Sequence, residues 1–234
     1  MNVTVESKKN GTVVQAKPSV KDAPPGEVRV KVRAPNMLVA SFELVGTDPY
    51  VQHRFWGKAD MIQKHREGGK SGKKGDKSPR DFEKQYEQAK HVSTEGWVGI
   101  PAGAFRAAMI SACRLVGFHM TMAKLTVFSL ADGYDREDGT PLIRITGEPE
   151  MVIHPVRNDD GSIDMRARPM WREWGCTLRV RYDADQFNHE DVANLVLRVG
   201  LQVGVGEGRN DSKKSSGVGW GSFGIAENKK RKAA

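Results

Sequence analysis

Six glycines, at 204, 206, 208, 217, 219 and 221, flank Arg209, Lys213 and Lys214 in the run GLQVGVGEGRNDSKKSSGVGWGSF. Residues without a β-carbon reach positive φ and let a backbone come close to a neighbour, and the cations supply charge for an anionic guest. A phosphate-bearing strand suits that chemistry. A dinucleotide fingerprint does not, because Gly204, Gly206 and Gly208 follow a predicted helix and do not join a strand to one. A P-loop is also excluded, since no Gly-Lys-Ser/Thr falls within the run. Two readings stand, a backbone nest for phosphates and a merely flexible loop.

Among the other reactive side chains, His53, His65 and His91 lie in or beside a basic insert, where a free imidazole titrates in the useful range for acid–base work. Spacing pairs none of them with a nucleophile or a lysine, so no catalytic residue is assigned and an enzyme is not expected. His119, His154 and His189 read as structural. The acids of DGYDREDG, Asp132, Asp135 and Asp138, have calcium-loop spacing but lack the downstream glutamate, which leaves a surface turn. Cys113 and Cys176 stand far apart with no CxxC, so no disulfide, metal or cofactor is expected. Trp56 and Trp220 are candidates to stack on bases, each worth about 1–3 kcal/mol. Trp171 and Trp174, with Arg168 and Arg172, form a second aromatic and basic cluster. For every tryptophan the competing reading is burial in a core.

These groups must be held by elements. Val28, Val30 and Val32 alternate with Arg29, Lys31 and Arg33, and Leu38, Ala40, Phe42 and Leu44 repeat the period of two, which predicts one bent strand or two. Residues 1–26 read as an arm or an added edge strand. Gly57–Arg80 is a basic, glycine-rich insert; Arg54 before it and Lys70, Lys73 and Lys74 within it are candidate phosphate contacts. A short helix over Asp81–Lys90 closes the insert. Pro101 opens a helix through Val116, with Phe105, Ala108, Met109, Ala112 and Val116 on one face and Arg106, Ile110 and Arg114 on another. Strands are predicted over Lys124–Ala131, Leu142–Thr146, Met151–Val156 and Thr177–Tyr182. A helix over His189–Val199 starts at Asn188, and a last strand contains Phe223 and Ile225. With the inserts removed the order is strand, helix, strand, strand, helix, strand. That is the α+β, split βαβ plan of ferredoxin-like and RRM-like folds, an antiparallel sheet with two helices on one face.

The chain has 234 residues and a formal charge of +8. That is enough for one elaborated domain, here 1–226 with inserts at about 46–100 and 132–175, followed by a basic tail at 227–234. A pI near 9.5 favours an anionic partner. No stretch approaches the roughly 20 apolar residues of a membrane span, and the N-terminus has no apolar leader. A cytoplasmic protein is expected, with no membrane partner.

The helix entry Ile100-Pro101-Ala102-Gly103-Ala104-Phe105-Arg106, followed far downstream by the glycine run, resembles the RAMP superfamily of CRISPR proteins. There an Ile-Pro-Gly-Ser-Ser-like turn enters a helix carrying an arginine, and a glycine-rich loop follows near the C-terminus. Alanines 102 and 104 stand where the family favours serine. The resemblance implies an RRM-like fold that binds single-stranded RNA, or DNA, through these two segments. Its nearest likeness is to the backbone subunits, which polymerise along a guide RNA with other complex subunits and carry a thumb where the 57–80 insert lies. By carry-over Arg106, Gly206, Gly208, Arg209 and Gly219 lie along the RNA backbone; Lys213, Lys214 and Trp220 are candidate contacts on their charge and stacking chemistry alone. Two alternatives share these features. One is a virus-encoded structural or inhibitory protein that mimics such a subunit; the other is a metal-independent, RNA-processing endoribonuclease of the same superfamily.

Overall fold

The computed structural model describes residues 32–54, 81–157, 163–211 and 217–226. The chain divides into two compact units, Met1–Ala34 and Pro35–Ala234, and every strand and helix among the described residues belongs to the second. The arm, most of the Glu27–Arg33 alternation, the 57–80 insert and the basic tail lie outside the described residues.

Strand β1, Met37–Gly46, is built on a period of two: Ala40, Phe42 and Leu44 are buried while Val39, Ser41, Glu43 and Val45 are exposed. It is the second strand of a four-stranded antiparallel sheet. Its neighbours are β9, Gly175–Asp183, on one side and β10, Phe223–Ile225, on the other, and β4, Val127–Leu130, lies beyond β9. Register places Phe42 opposite Leu178 and Ala40 opposite Val180, so both strands bury the same face. Their other face carries Val39 opposite Arg181 and Ser41 opposite Arg179, which in turn face Phe128 and Leu130 of β4.

Helix α2, Ala102–Ala112, and helix α4, His189–Arg198, share one core with the buried face of that sheet. Phe105, Met109 and Ala112 of α2 are fully buried, as are Val192 and Val196 of α4. A complete capping box starts α4: the Asn188 side chain accepts from the Asp191 amide, and Asp191 accepts from the Asn188 amide. Such caps are worth about 1 kcal/mol.

Two three-stranded antiparallel sheets complete the unit. One joins β2 (Tyr50–Val51) to β8 (Ile163–Trp171) and β7 (Glu150–Arg157); the other joins β3 (Gly99–Pro101) to β6 (Pro141–Arg144) and β5 (Gly133–Tyr134). Helix α1, Phe82–Gln88, packs on β8 and is capped by Asp81, whose side chain accepts from the Lys84 amide.

Several expectations need correction. The helix after Pro101 ends at Ala112. Cys113–Val116 tighten into a 3-10 turn closed by Gly117 at φ 72°, which leaves Val116 exposed. Residues 124–126 belong to a helix, α3 (Met120–Thr126), so the strand there begins only at Val127. Trp171 and Trp174 are 0 % and 4 % exposed and pack tilted on Tyr50, which makes them core and not a stacking platform. Arg168 of that cluster belongs to β8, opposite Val152 of β7. Cys113 and Cys176 are free and buried; burial raises both thiols, Cys176 to about 12 with help from Asp132 and Glu43.

Candidate nucleic-acid interface

One π-helical turn, Val199–Val203, leads from α4 into the glycine loop, and all six of its glycines take positive φ, between 65° and 88°. The loop is closed by backbone hydrogen bonds. Val205 donates to Gly221 O at 3.1 Å, Gly221 to Pro49 O at 2.7 Å, Glu207 to Val51 O at 2.9 Å and Asp211 to Val203 O at 3.2 Å. Its two limbs are therefore tied to each other, to Pro49 and to Val51 of β2.

The glycines fall into two groups. A β-carbon at Gly221 would lie 1.8 Å from Val205 O, at Gly206 2.6 Å from Val51 O, at Gly208 2.5 Å from the Trp220 ring and at Gly204 3.0 Å from Trp220 O. These four are glycine because the protein closes on itself there. Among the described residues a β-carbon would meet nothing nearer than 3.8 Å at Gly217 and 3.9 Å at Gly219, so at neither does close packing of the loop base demand a glycine, and Gly219 leaves room for a close approach. At Gly206 and Gly208, the side that a β-carbon would occupy is filled by Tyr50 and Val51 O and by the Trp220 ring.

Helix α2 runs beside both limbs. Phe105, in its first turn, meets Phe223 edge-on at 5.9 Å. Beyond its last turn, Arg114 Nη2 pairs with Asp211 at 2.7 Å, and Ser111 donates to the same carboxylate. The Ser111 hydroxyl first, and then Arg114, hold the Asp211 carboxyl below its ordinary range. The helix and the loop are thus brought together.

Arg106 is not part of that contact. Its Nε donates to Val127 O at 3.3 Å and its Nη2 to Lys124 O at 2.5 Å, while its guanidinium lies over the Phe128 ring at 5.0 Å. These partners belong to α3 and to β4, the sheet edge opposite β10. The helix arginine that reaches the loop is Arg114. Arg209 folds back, donating from Nη1 to Gly206 O at 3.0 Å. Trp220 is half-buried, with its ring over Gly208 and edge-on to His154 at 5.4 Å. Lys70, Lys73, Lys74, Lys213 and Lys214, together with His65 and Trp56, lie outside the described residues.

Glu207, between Gly206 and Gly208, gathers groups from three elements. Arg168 Nε on β8 lies 2.9 Å from its Oε2; His154 Nε2 on β7 and His53 Nδ1 after β2 stand 3.6 and 4.0 Å from the carboxylate, too far for full hydrogen bonds. Burial pushes the Glu207 carboxyl up, but the contacts with His154, Arg168 and His53 outweigh it and hold it at about 2. His53 is lowered below its usual 6.5, by burial first and then by Arg168. His154 Nδ1 is buried with no hydrogen-bond partner among the described residues. The sequence reading missed Glu207 and took His154 for structural. The only available signal was one acid set among glycines in a basic loop.

Arg54 is placed in a second cluster. Its Nη2 lies 3.2 Å from both Asp135 and Asp138 and its Nη1 2.9 Å from Glu137, while His91 Nδ1 shares a hydrogen bond with Asp135 at 2.8 Å. Asp135 is buried, so the predicted surface turn is anchored by an interior charge. Its Oδ1 also accepts from the Glu137 amide at 2.8 Å. His91, Asp135 and Asp138 offer ligand atoms within 4.8 Å of one another. The cation among these carboxylates is the Arg54 guanidinium, which turns the candidate phosphate contact inward.

No protein-family model matches this chain, and no curated protein matches it.

Proposed function

We propose that the protein is an RRM-like, RAMP-type subunit that binds single-stranded nucleic acid, RNA above DNA, along its backbone and lines up with copies of itself on the strand in a ribonucleoprotein complex. The observation that carries this reading is the glycine loop: a closed base packed on α2, and a tip where a β-carbon at Gly219 would meet no described atom nearer than 3.9 Å. The four-stranded sheet supports it. Numbered by their own order in the chain, its strands run 4-1-3-2, with α2 after the first and α4 after the third, which is the order expected of a split βαβ sheet. Cationic loops would hold phosphates and leave sequence to base pairing.

The test is titration of labelled single-stranded RNA and DNA across a salt series. Replacing Arg209, Lys213 and Lys214 by alanine is expected to weaken binding to every sequence alike. The log–log salt slope should flatten by about 0.7 for each phosphate that is no longer neutralised. Affinity unchanged by the triple replacement removes the loop from the function.

A further inference from the structure

A groove of about 860 Å³ opens at the end of β1 and β9 away from Met37, lined among others by Glu43, Glu95, Asp132, Glu173, Trp97 and Arg144. Four carboxylates and one guanidinium on a chain of net charge +8 make a local reversal of sign. Of the four, only Asp132 has a cationic partner among the described residues, Arg179 at 2.8 Å. Glu43 accepts from the Thr177 hydroxyl, Glu95 from the Trp97 indole at 3.0 Å, and Glu173 makes no described side-chain contact. The groove therefore presents uncompensated negative charge around an indole, a surface suited to lysine and arginine side chains.

The chain itself delivers such side chains to that place. Ala226 lines the groove and donates its amide to Glu43 O at 2.8 Å. The next residues are Glu227 and Asn228, and then Lys229, Lys230, Arg231 and Lys232. Six residues beyond Ala226, an extended chain reaches about 20 Å. A segment tethered at the groove wall also has an effective concentration in the millimolar range, well above that of any free cationic peptide.

We propose that this groove is the seat of the chain's own cationic segment Lys229–Lys232. Such seating does not depend on nucleic-acid binding. If the protein also binds a strand, that strand and the groove compete for the same four cations.

Zero-length carbodiimide coupling of the dilute full-length protein, followed by peptide mapping, tests it directly. Links from Lys229, Lys230 or Lys232 to Glu43, Glu95 or Glu173 within one chain are expected. Links spread evenly over other carboxylates overturn the proposal, and so do links found only between chains, which would give the groove to a second copy. A second measurement uses the labelled peptide AENKKRKAA and a full-length protein carrying Lys229→Gln, Lys230→Gln, Arg231→Gln and Lys232→Gln. The peptide should bind that protein, and adding Glu43→Gln, Glu95→Gln and Glu173→Gln should weaken binding about tenfold, the scale of a few exposed ion pairs. The unaltered chain should take up the peptide at least as weakly. Equal binding by all three proteins overturns the assignment.

Discussion

Glu207 is where the glycine loop, the β7–β8 hairpin and the turn after β2 meet, through Arg168, His154 and His53. Its carboxyl sits at about 2 in the folded protein against an ordinary 4.5. A depressed carboxyl contributes its stability fully above the unfolded value and loses it as pH falls through the folded one. The contribution is therefore present at neutral pH and disappears between about 4.5 and about 2. Glu207→Gln should cost up to about 3 kcal/mol at pH 7, the scale of a drop from 4.5 to about 2, and flatten the acid limb of stability over that window. Urea unfolding at a series of pH values checks both, and an acid limb unchanged by the substitution would assign the loss to other carboxylates. Arg54 makes the complementary point about reading chemistry from a sequence. Next to a lysine-rich insert it reads as a phosphate contact, yet its guanidinium is enclosed by acids from a turn some 80 residues away. Long-range pairing of that kind leaves no local pattern.

Among the elements, the glycine loop is a small fold in its own right, and its glycines should not respond alike to substitution. Gly221→Ala combines positive φ with a β-carbon 1.8 Å from Val205 O, so the two limbs must separate. Gly219→Ala meets only the conformational cost, about 1–2 kcal/mol. Denaturant midpoints should show Gly221→Ala lowering stability by clearly more than Gly219→Ala, whereas equal losses would mean that the base of the loop yields freely. The alternation in β1 and β9 and the cap of α4 were legible because each rests on neighbours in sequence. Helix α3 was not. Met120–Thr126 is a short run that passes into β4 without a break, and periodicity over seven residues does not separate a helix from a strand. The end of α2 at Ala112 was hidden for a related reason, since the following 3-10 turn keeps a helical spacing for four more residues.

Across the whole molecule, the glycine loop feeds β10 at one edge of the main sheet, while Arg106, Phe128 and Arg181 gather at the β4 edge. That helices accompany antiparallel strands was legible from the chain; which arginine belongs to which edge was not, because strand order decides it. Side-by-side assembly on a strand predicts complexes whose mass rises in whole-subunit steps with strand length, doubling when the strand doubles. Native mass measurement on two strand lengths checks this, and a single copy at both lengths would end the assembly reading. The two cysteines give a practical opening for such work. Both are buried and their thiols hold their protons well above neutral pH, which keeps them poor nucleophiles. A thiol introduced at the exposed Val218 would therefore be the one that a maleimide dye finds, placing a fluorophore on the tip of the loop with the native pair left in place.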